Sequence, residues 1–236
     1  MRVCVFSDNS YIFEGFCRIL PGFPEHSFDF FYSPWNHAFT PSVRFRPLRL
    51  REQTRELNDS YDLFLSLHSK QLFPPELVEN HLCINVHPGL NPHNRGWFPQ
   101  VFSILNGLPC GVTIHKMDAE LDHGPILWQE EVPLCASDTS RDLYDRILAK
   151  EMELLQAHLG DLLTGNYTLT PMESEGNINY KADFDALCQI DRNAPATYGQ
   201  VIDHLRALTH APYENAYFVD EDGKRVYVGI TFRKED

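Results

Sequence analysis

The sequence lacks any apolar run long enough to span a membrane, any Cys-x-x-Cys pair, any low-complexity tract and any internal repeat. A spanning helix needs about 20 predominantly apolar residues, whereas the opening run Arg2-Val3-Cys4-Val5-Phe6 breaks at once into the polar turn Ser7-Asp8-Asn9-Ser10. That opening reads as a strand and not as a signal peptide, so the expected location is cytoplasmic. Disordered and collagen-like chains are excluded, because 43% of the 236 residues are apolar and 22% charged, an ordinary globular balance. Basic residues are scarce: 20 Lys and Arg stand against 33 Asp and Glu, a net charge of −13. Proteins that grip nucleic acid need a basic surface to release counterions, so neither a nucleic acid nor a membrane is expected as a partner. Cys4, Cys17, Cys83, Cys110, Cys135 and Cys188 are scattered singly in apolar stretches and read as reduced core thiols.

Several chemistries lose their signatures. There is no Gly-x-Gly-x-x-Gly or Walker loop to cradle a nucleotide phosphate, and no Gly-x-Ser-x-Gly elbow for a nucleophilic serine. His115 and His123 with Asp118 and Asp122 form no metal-ligand spacing such as His-Glu-x-x-His, so no metal is expected.

What is present is an alternation of short apolar runs with helical periodicity. Strands are predicted over residues 2–6, 28–32, 63–67, 82–86, 111–117 and 126–132, and helices over 11–20, 74–80, 97–106 and 139–163. Residues 34–47, punctuated by proline, read as a loop. Short apolar strands alternating with helices imply an α/β fold with a mostly parallel sheet covered on both faces. In the 139–163 helix Tyr144, Leu148, Met152, Leu155, Leu159 and Leu162 line one stripe, and Gly165 stands just past its end. That helix closes a principal domain, residues 1–165. Residues 166–236 read as a small extension: a helix over 197–208, opening with the capping pattern Thr197-x-x-Gln200, then a β-hairpin around Asp222-Gly223. A lone hairpin is marginal, so Tyr213, Tyr217, Phe218 and Tyr227 are expected at a homodimer interface.

Two clusters carry candidate chemistry. The first runs from Asn85-Val86-His87-Pro88-Gly89 to Asn94-Arg95-Gly96-Trp97-Phe98-Pro99-Gln100. Asn85 and His87 lie two apart at the carboxyl end of a strand, so they share a face, and open α/β sheets bind ligands beyond those ends. A strand-end Asn or His that merely satisfies a loop carbonyl is the stronger reading for each residue alone. The second is Gly111-Val112-Thr113-Ile114-His115-Lys116-Met117-Asp118, continuing through Leu121-Asp122-His123-Gly124-Pro125-Ile126. Histidine beside carboxylate is acid–base equipment, although solvated loop acids would look the same.

Taken jointly and in this order, these segments resemble the folate-dependent formyltransferases, and most closely the nucleotide-sugar N-formyltransferases. Asn91 to Gln100, His68-Ser69-Lys70-Gln71-Leu72-Phe73-Pro74, Leu205 to His210 and Asn215 to Phe218 extend the likeness almost to the end. The turn Ser7-Asp8-Asn9-Ser10-Tyr11 departs from the family in lacking the glycines of its purine-pathway members, and the chain has no room for the full C-terminal barrel of the tRNA enzyme.

The resemblance implies a Rossmann-like formyltransferase domain that moves the formyl group of N10-formyltetrahydrofolate, a co-substrate, to the amine of a nucleotide-linked amino dideoxysugar. The implied sugar is dTDP-4-amino-4,6-dideoxyglucose, on the way to a surface glycan such as O-antigen. It further implies that Asn85 donates to the oxyanion, His87 shuttles the proton and Asp122 orients the imidazole. Folate would meet Gln71, Leu72 and Phe73 and the loop Asp118, Ala119, Glu120, Leu121 and Asp122. Asn9, Tyr11, Lys70, Asn94 and Arg95 would meet the sugar nucleotide. A formyltransferase for another small amine, a formyltetrahydrofolate hydrolase and a silent folate-binding module share the same three central residues and stay open.

Overall fold

The computed structural model describes residues 1–42 and 45–235. Residues 43 and 44, inside the stretch 34–47 read as a loop, lie outside the described residues. The first half of the chain runs β1 (Arg2–Ser7), α1 (Ser10–Ile19), β2 (Ser27–Tyr32), β3 (Phe45–Pro47), α2 (Leu50–Ser60), β4 (Leu63–Leu67), α3 (Pro75–Asn80) and β5 (Leu82–His87). It continues through β6 (Arg95–Gly96), α4 (Pro99–Asn106), β7 (Gly111–Lys116), β8 (Ile126–Glu131) and α5 (Ser140–Thr164). The remainder is β9 (Ile178–Asn179), α6 (Lys181–Cys188), α7 (Tyr198–Leu208), β10 (Thr209–His210), β11 (Tyr213–Glu214), β12 (Tyr217–Val219) and β13 (Arg225–Tyr227).

Seven strands form one sheet in the order β3-β2-β1-β4-β5-β7-β8. The five strands from β3 to β5 are parallel, and β7 and β8 close the sheet antiparallel. This is the mostly parallel α/β sheet that the alternation predicts. Strand order reverses direction between β1 and β4, so a crevice opens above their carboxyl ends, where doubly wound sheets bind ligands.

Side-chain alternation divides the core in two. Val3 and Val5, Leu63, Leu65 and Leu67, and Ile84 and Val86 all face the larger cluster, which α1, α4 and α5 cover. Cys4, Phe6, Phe64 and Cys83 face a smaller cluster closed by Leu50, Leu57 and Leu77 of α2 and α3. On β5 the second face turns polar after Cys83, because the next two residues in that register are Asn85 and His87. The thinner cluster therefore stops short of the strand ends, and a polar group takes over the same face.

Two helices, α2 and α6, lie where the sequence pattern predicts none. In α2 the buried residues Leu50, Thr54 and Leu57 do follow helical spacing, but only two are apolar in an otherwise polar segment, and α6 buries Phe184 alone. The predicted 97–106 helix begins later, at Pro99, because Phe98 adopts the left-handed conformation with φ 53°. The long helix is delimited as its sequence suggests: Thr139 and Asp142 close a capping box, and Gly165 ends it at φ 75°. No helix among the described residues is long and apolar enough to cross a membrane. Cys135 is exposed, which corrects its reading as a core thiol: it sits in the turn that Asp138 caps and not in an apolar stretch.

The extension returns onto the main sheet. β9 pairs with β6 in parallel, Thr170 bridges Ile126, and α7 packs on α4 and α5. Leu65, fully buried at the centre of β4, sets the scale of the packing. Leu65→Ala is expected to cost about 2–5 kcal/mol, read as a lower denaturation midpoint at unchanged slope in urea.

Candidate active site

The register of β5 against β7 brings the two sequence clusters together. Asn85 pairs with His115 and His87 with Thr113 across the strands. The loop after β7 then folds back so that Asp122 meets both. Asp122 is buried and holds φ 48°, a left-handed conformation uncommon for a residue with a side chain. His68 and Asn94 share that uncommon backbone region at φ 61° and 49°, and strain of this kind concentrates at functional sites.

Asp122 is the hub. Its Oδ1 accepts from Asn85 Nδ2 at 2.9 Å and its Oδ2 from the Gly96 backbone N–H at 3.1 Å. His87 Nδ1 stands 3.4 Å from Oδ2, and His115 Nε2 stands 3.5 Å from Oδ1. Its backbone carbonyl accepts from Asn91 Nδ2 at 2.8 Å. Burial by itself would raise the Asp122 carboxyl, but the adjacent histidines and the Gly96 N–H outweigh it and hold the group ionised, below the usual carboxylate range. His87 moves the other way: burial, opposed by Asp122, lowers its pKa to about 4, so the ring is neutral at pH 7.

That neutral ring is left incomplete. His87 Nε2 is buried without a hydrogen-bond partner, and so are Asn91 Oδ1 and Arg95 Nε nearby. Of the five such atoms among the described residues, three belong to this one neighbourhood. A buried polar atom without a partner costs about 1–3 kcal/mol, which a bound group can relieve. Gly89 keeps the approach to Nε2 open, since a Cβ there would run into that nitrogen and into His87 Cδ2.

His115 is a residue the sequence reading does not select for the site, although β-pairing would have found it opposite Asn85. Its Nδ1 bonds the Lys116 carbonyl at 3.1 Å, which leaves Nε2 to accept from Asn85 Nδ2 at 3.3 Å. Both Asn85 amide hydrogens are thus engaged, and a bound oxygen would have to take over the longer bond to His115.

The other predicted residues divide. Asn94, expected to meet the sugar nucleotide, is fully buried, and its side chain is engaged by Ser103, Asn106, Asn177 and Asn179, so it organises the loop. Arg95, expected to meet the sugar nucleotide, is buried and donates from Nη1 to the Leu121 carbonyl at 3.2 Å beneath the 118–122 loop. Asn9 caps α1, donating from Nδ2 to Tyr144 Oη at 3.1 Å, while Tyr11 and Lys70 are exposed beside it. The Gln71 side chain is tied to Leu48 and Leu50, Leu72 is exposed, and Phe73 packs on Phe6. Ala119 and Glu120 are exposed at the loop tip. Asp118 bonds His123 at 2.6 Å and thereby raises the proton affinity of that ring. Glu120, His123 and Glu175 bring possible ligand atoms within 4.8 Å of one another, and His123 Nε2 stands 3.5 Å from Glu175 Oε2.

Comparison with known proteins places this geometry in a family. Residues 38–159 match the family described as formyl transferase, and residues 183–234 match the N-formyltransferase dimerization C-terminal domain. The chain belongs to the formyl transferase family. It is 46% identical to the dTDP-4-amino-4,6-dideoxyglucose formyltransferase of Mycobacterium tuberculosis over 78% of this chain and 79% of that protein. Among solved structures it resembles a 4-N formyltransferase from Francisella tularensis, with TM-score 0.96 and 43% identity over 99% of this chain and 98% of that one. A sugar N-formyltransferase from a Shewanella species matches with TM-score 0.95 and 40% identity over 100% and 99% of the two chains. The resemblance read from the two sequence clusters is therefore correct, down to the sugar N-formyltransferases within the family.

Two outcomes follow from the formyltransferase geometry. A histidine-ring NMR titration of the free protein should give His87 a midpoint near 4, with the ring neutral above it and charged below, whereas an exposed histidine titrates near 6.5. Gly89→Ala should displace the imidazole and lower turnover by on the order of 10²-fold with little change in melting temperature, checked by kinetics beside thermal unfolding.

Proposed function

We propose that the protein transfers the formyl group of N10-formyltetrahydrofolate to the amine of dTDP-4-amino-4,6-dideoxyglucose. The carrying observation is the buried, neutral and unpartnered His87 Nε2 beside an ionised Asp122, in a chain 46% identical to a relative bearing that sugar's name. The site's chemistry fits the donor: an acceptor without a partner, an amide N–H and a carboxylate converge where Gly89 leaves room. Backbone groups of Gln71, Leu72 and Phe73 and of residues 118–122 would hold the folate, with Arg95 fixing Leu121 from below. When bound, the folate supplies an electrophilic formyl carbon.

The chain's own residues do the rest. His87 is neutral, so its free Nε2 lone pair can take a proton from the amine during attack. Asp122 holds Nδ1 in place and stabilises the imidazolium once it forms, as a buried carboxylate does for a proton-shuttling histidine. Asn85, released from His115, turns one N–H toward the oxygen that gains negative charge. Asn9, Tyr11 and Lys70 line the β1 and β4 ends where the sugar nucleotide would approach, Lys70 offering charge to a diphosphate.

Residues 1–165 would form the catalytic unit and 166–236 the dimer-forming extension. Tyr198, Tyr213 and Tyr227 are exposed there at 89%, 68% and 43%, a concentration of aromatic surface suited to a second copy of the chain. The formamido sugar nucleotide would serve surface-glycan assembly from the cytoplasm.

Mass spectrometry of dTDP- and GDP-linked 3-amino and 4-amino dideoxysugars incubated with N10-formyltetrahydrofolate tests the reading. One added formyl group on dTDP-4-amino-4,6-dideoxyglucose is expected; no gain on any sugar would overturn it. His87→Asn should remain folded and lose about 10²–10⁴-fold in rate, and near-wild-type turnover by the folded variant would sink the assigned role.

A further inference from the structure

A second buried histidine–carboxylate pair lies outside the Asp122 hub. Glu151 sits on the apolar face of α5, between Leu148 and Leu155, and is fully buried. His68 follows β4, directly beside β5, and its Nε2 stands 2.8 and 2.9 Å from the two Glu151 oxygens. Among the described residues no other side chain bonds that carboxylate. Folding gives no reason for it: burial raises the Glu151 pKa, and a leucine would pack the same helical position at lower cost. His68 itself is held at φ 61°, a second sign that this arrangement is maintained against local preference.

The hydrogen bonds settle the orientation of the pair. Asn9 Oδ1 accepts from the Ile12 N–H as the cap of α1, so its Nδ2 must face His68 Nδ1, at 3.4 Å, and Tyr144 Oη, at 3.1 Å. Tyr144 Oη also stands 3.2 Å from Nδ1. Nδ1 is thus the accepting nitrogen and Nε2–H donates to Glu151. The result is an imidazole whose Nδ1 lies at the β1–β4 switch point and whose far side rests on the buried Glu151 carboxyl group. The crevice is the one where the sugar nucleotide would approach, and a charge on His68 would be felt at His87.

Stoichiometry leaves work for such a group. An amine of ordinary basicity is an ammonium at pH 7. In going from R–NH3⁺ to R–NH–CHO the nitrogen loses two protons: one ends on the nitrogen that gave up the formyl group, and the other must leave as H⁺. His87 is a single base and accounts for the proton that ends on the folate nitrogen. We propose that His68, backed by Glu151, is the base that removes the first ammonium proton on binding and so delivers the free amine to the site. The N–H bond breaks with its electron pair staying on the amine nitrogen, the proton bonds to His68 Nδ1, and the Glu151 carboxylate balances the imidazolium until the proton passes to solvent.

This inference rests on the amino-sugar reading above. The groups facing His68 are Glu151 and Tyr144 of α5, Asn9 at the start of α1 and His87 of β5. Behind Tyr144 stand His210, Arg141 and Tyr213, and Asp8 is already engaged by Ser33, Asn36 and the Lys70 N–H.

The test compares wild type with His68→Gln and with the isosteric Glu151→Gln. In both variants kcat/KM for dTDP-4-amino-4,6-dideoxyglucose should fall on the order of 10²-fold at pH 7, then climb about tenfold per pH unit until the amine is free, closing most of the gap. A merely structural role would lower the whole pH profile in parallel, and that outcome, or unchanged rates in both variants, would overturn the proposal. Without any folate, adding the amino sugar nucleotide should shift the His68 ring ¹⁵N signals of the wild type to the imidazolium position, the signals being assigned by their loss in His68→Gln. The 4-hydroxy analogue should leave them unmoved, and an unshifted ring with the amino sugar bound would refute the role. If the wild type formylates no amino sugar, the functional reading itself fails; if it does so and the profiles run parallel, only this inference fails.

Discussion

The Asp122 carboxylate is the interaction on which the site depends. It ties three separate chain segments at one point: the end of β5 through Asn85, the short strand β6 through the Gly96 N–H, and its own loop through a left-handed backbone. A buried anion is costly unless its lone pairs are satisfied, and here the costs are met by donors that are also the working parts of the site. His87 is neutral because it is buried.

The sheet supplies the platform for that hub. Strand alternation sends Ile84 and Val86 into the large core and leaves Asn85 and His87 on the face of the thinner cluster, which ends at Cys83. Packing on one side holds the strand rigid, and the polar side then presents its groups without relying on a mobile loop. The antiparallel pairing of β7 matters equally, since it sets His115 opposite Asn85, and the loop after β7 folds back to bring Asp122 to Asn85 and His87. From α5 comes the remaining wall, with Tyr144 and Glu151 meeting Asn9 and His68 above the adjoining strands.

The strapping segment after Gly165 belongs to the same construction. Through β9 it pairs with β6, and through Asn177 it bonds Asn94, so the loop carrying Arg95 and Gly96 is held from both sides. The extension that carries the family's dimerization domain therefore also stiffens the floor under the 118–122 loop.

By itself the sequence determined the strands, the long capped helix, the parallel α/β class and the two clusters that carry the chemistry. Those features are local: alternation, a 3.6-residue stripe, a capping box and a glycine stop are written within a few residues of one another. It also led to Asn85, His87 and Asp122, through the order of short segments in the chain. Only the tertiary structure decided that Asn94 and Arg95 turn inward, that His115 joins the hub, and that His68 meets Glu151 from 83 residues away. Each of those outcomes depends on strand register or on helix-to-sheet packing. An isolated Glu in a helix or Arg in a loop looks solvent-exposed until the partner that neutralises it is brought to within hydrogen-bonding distance.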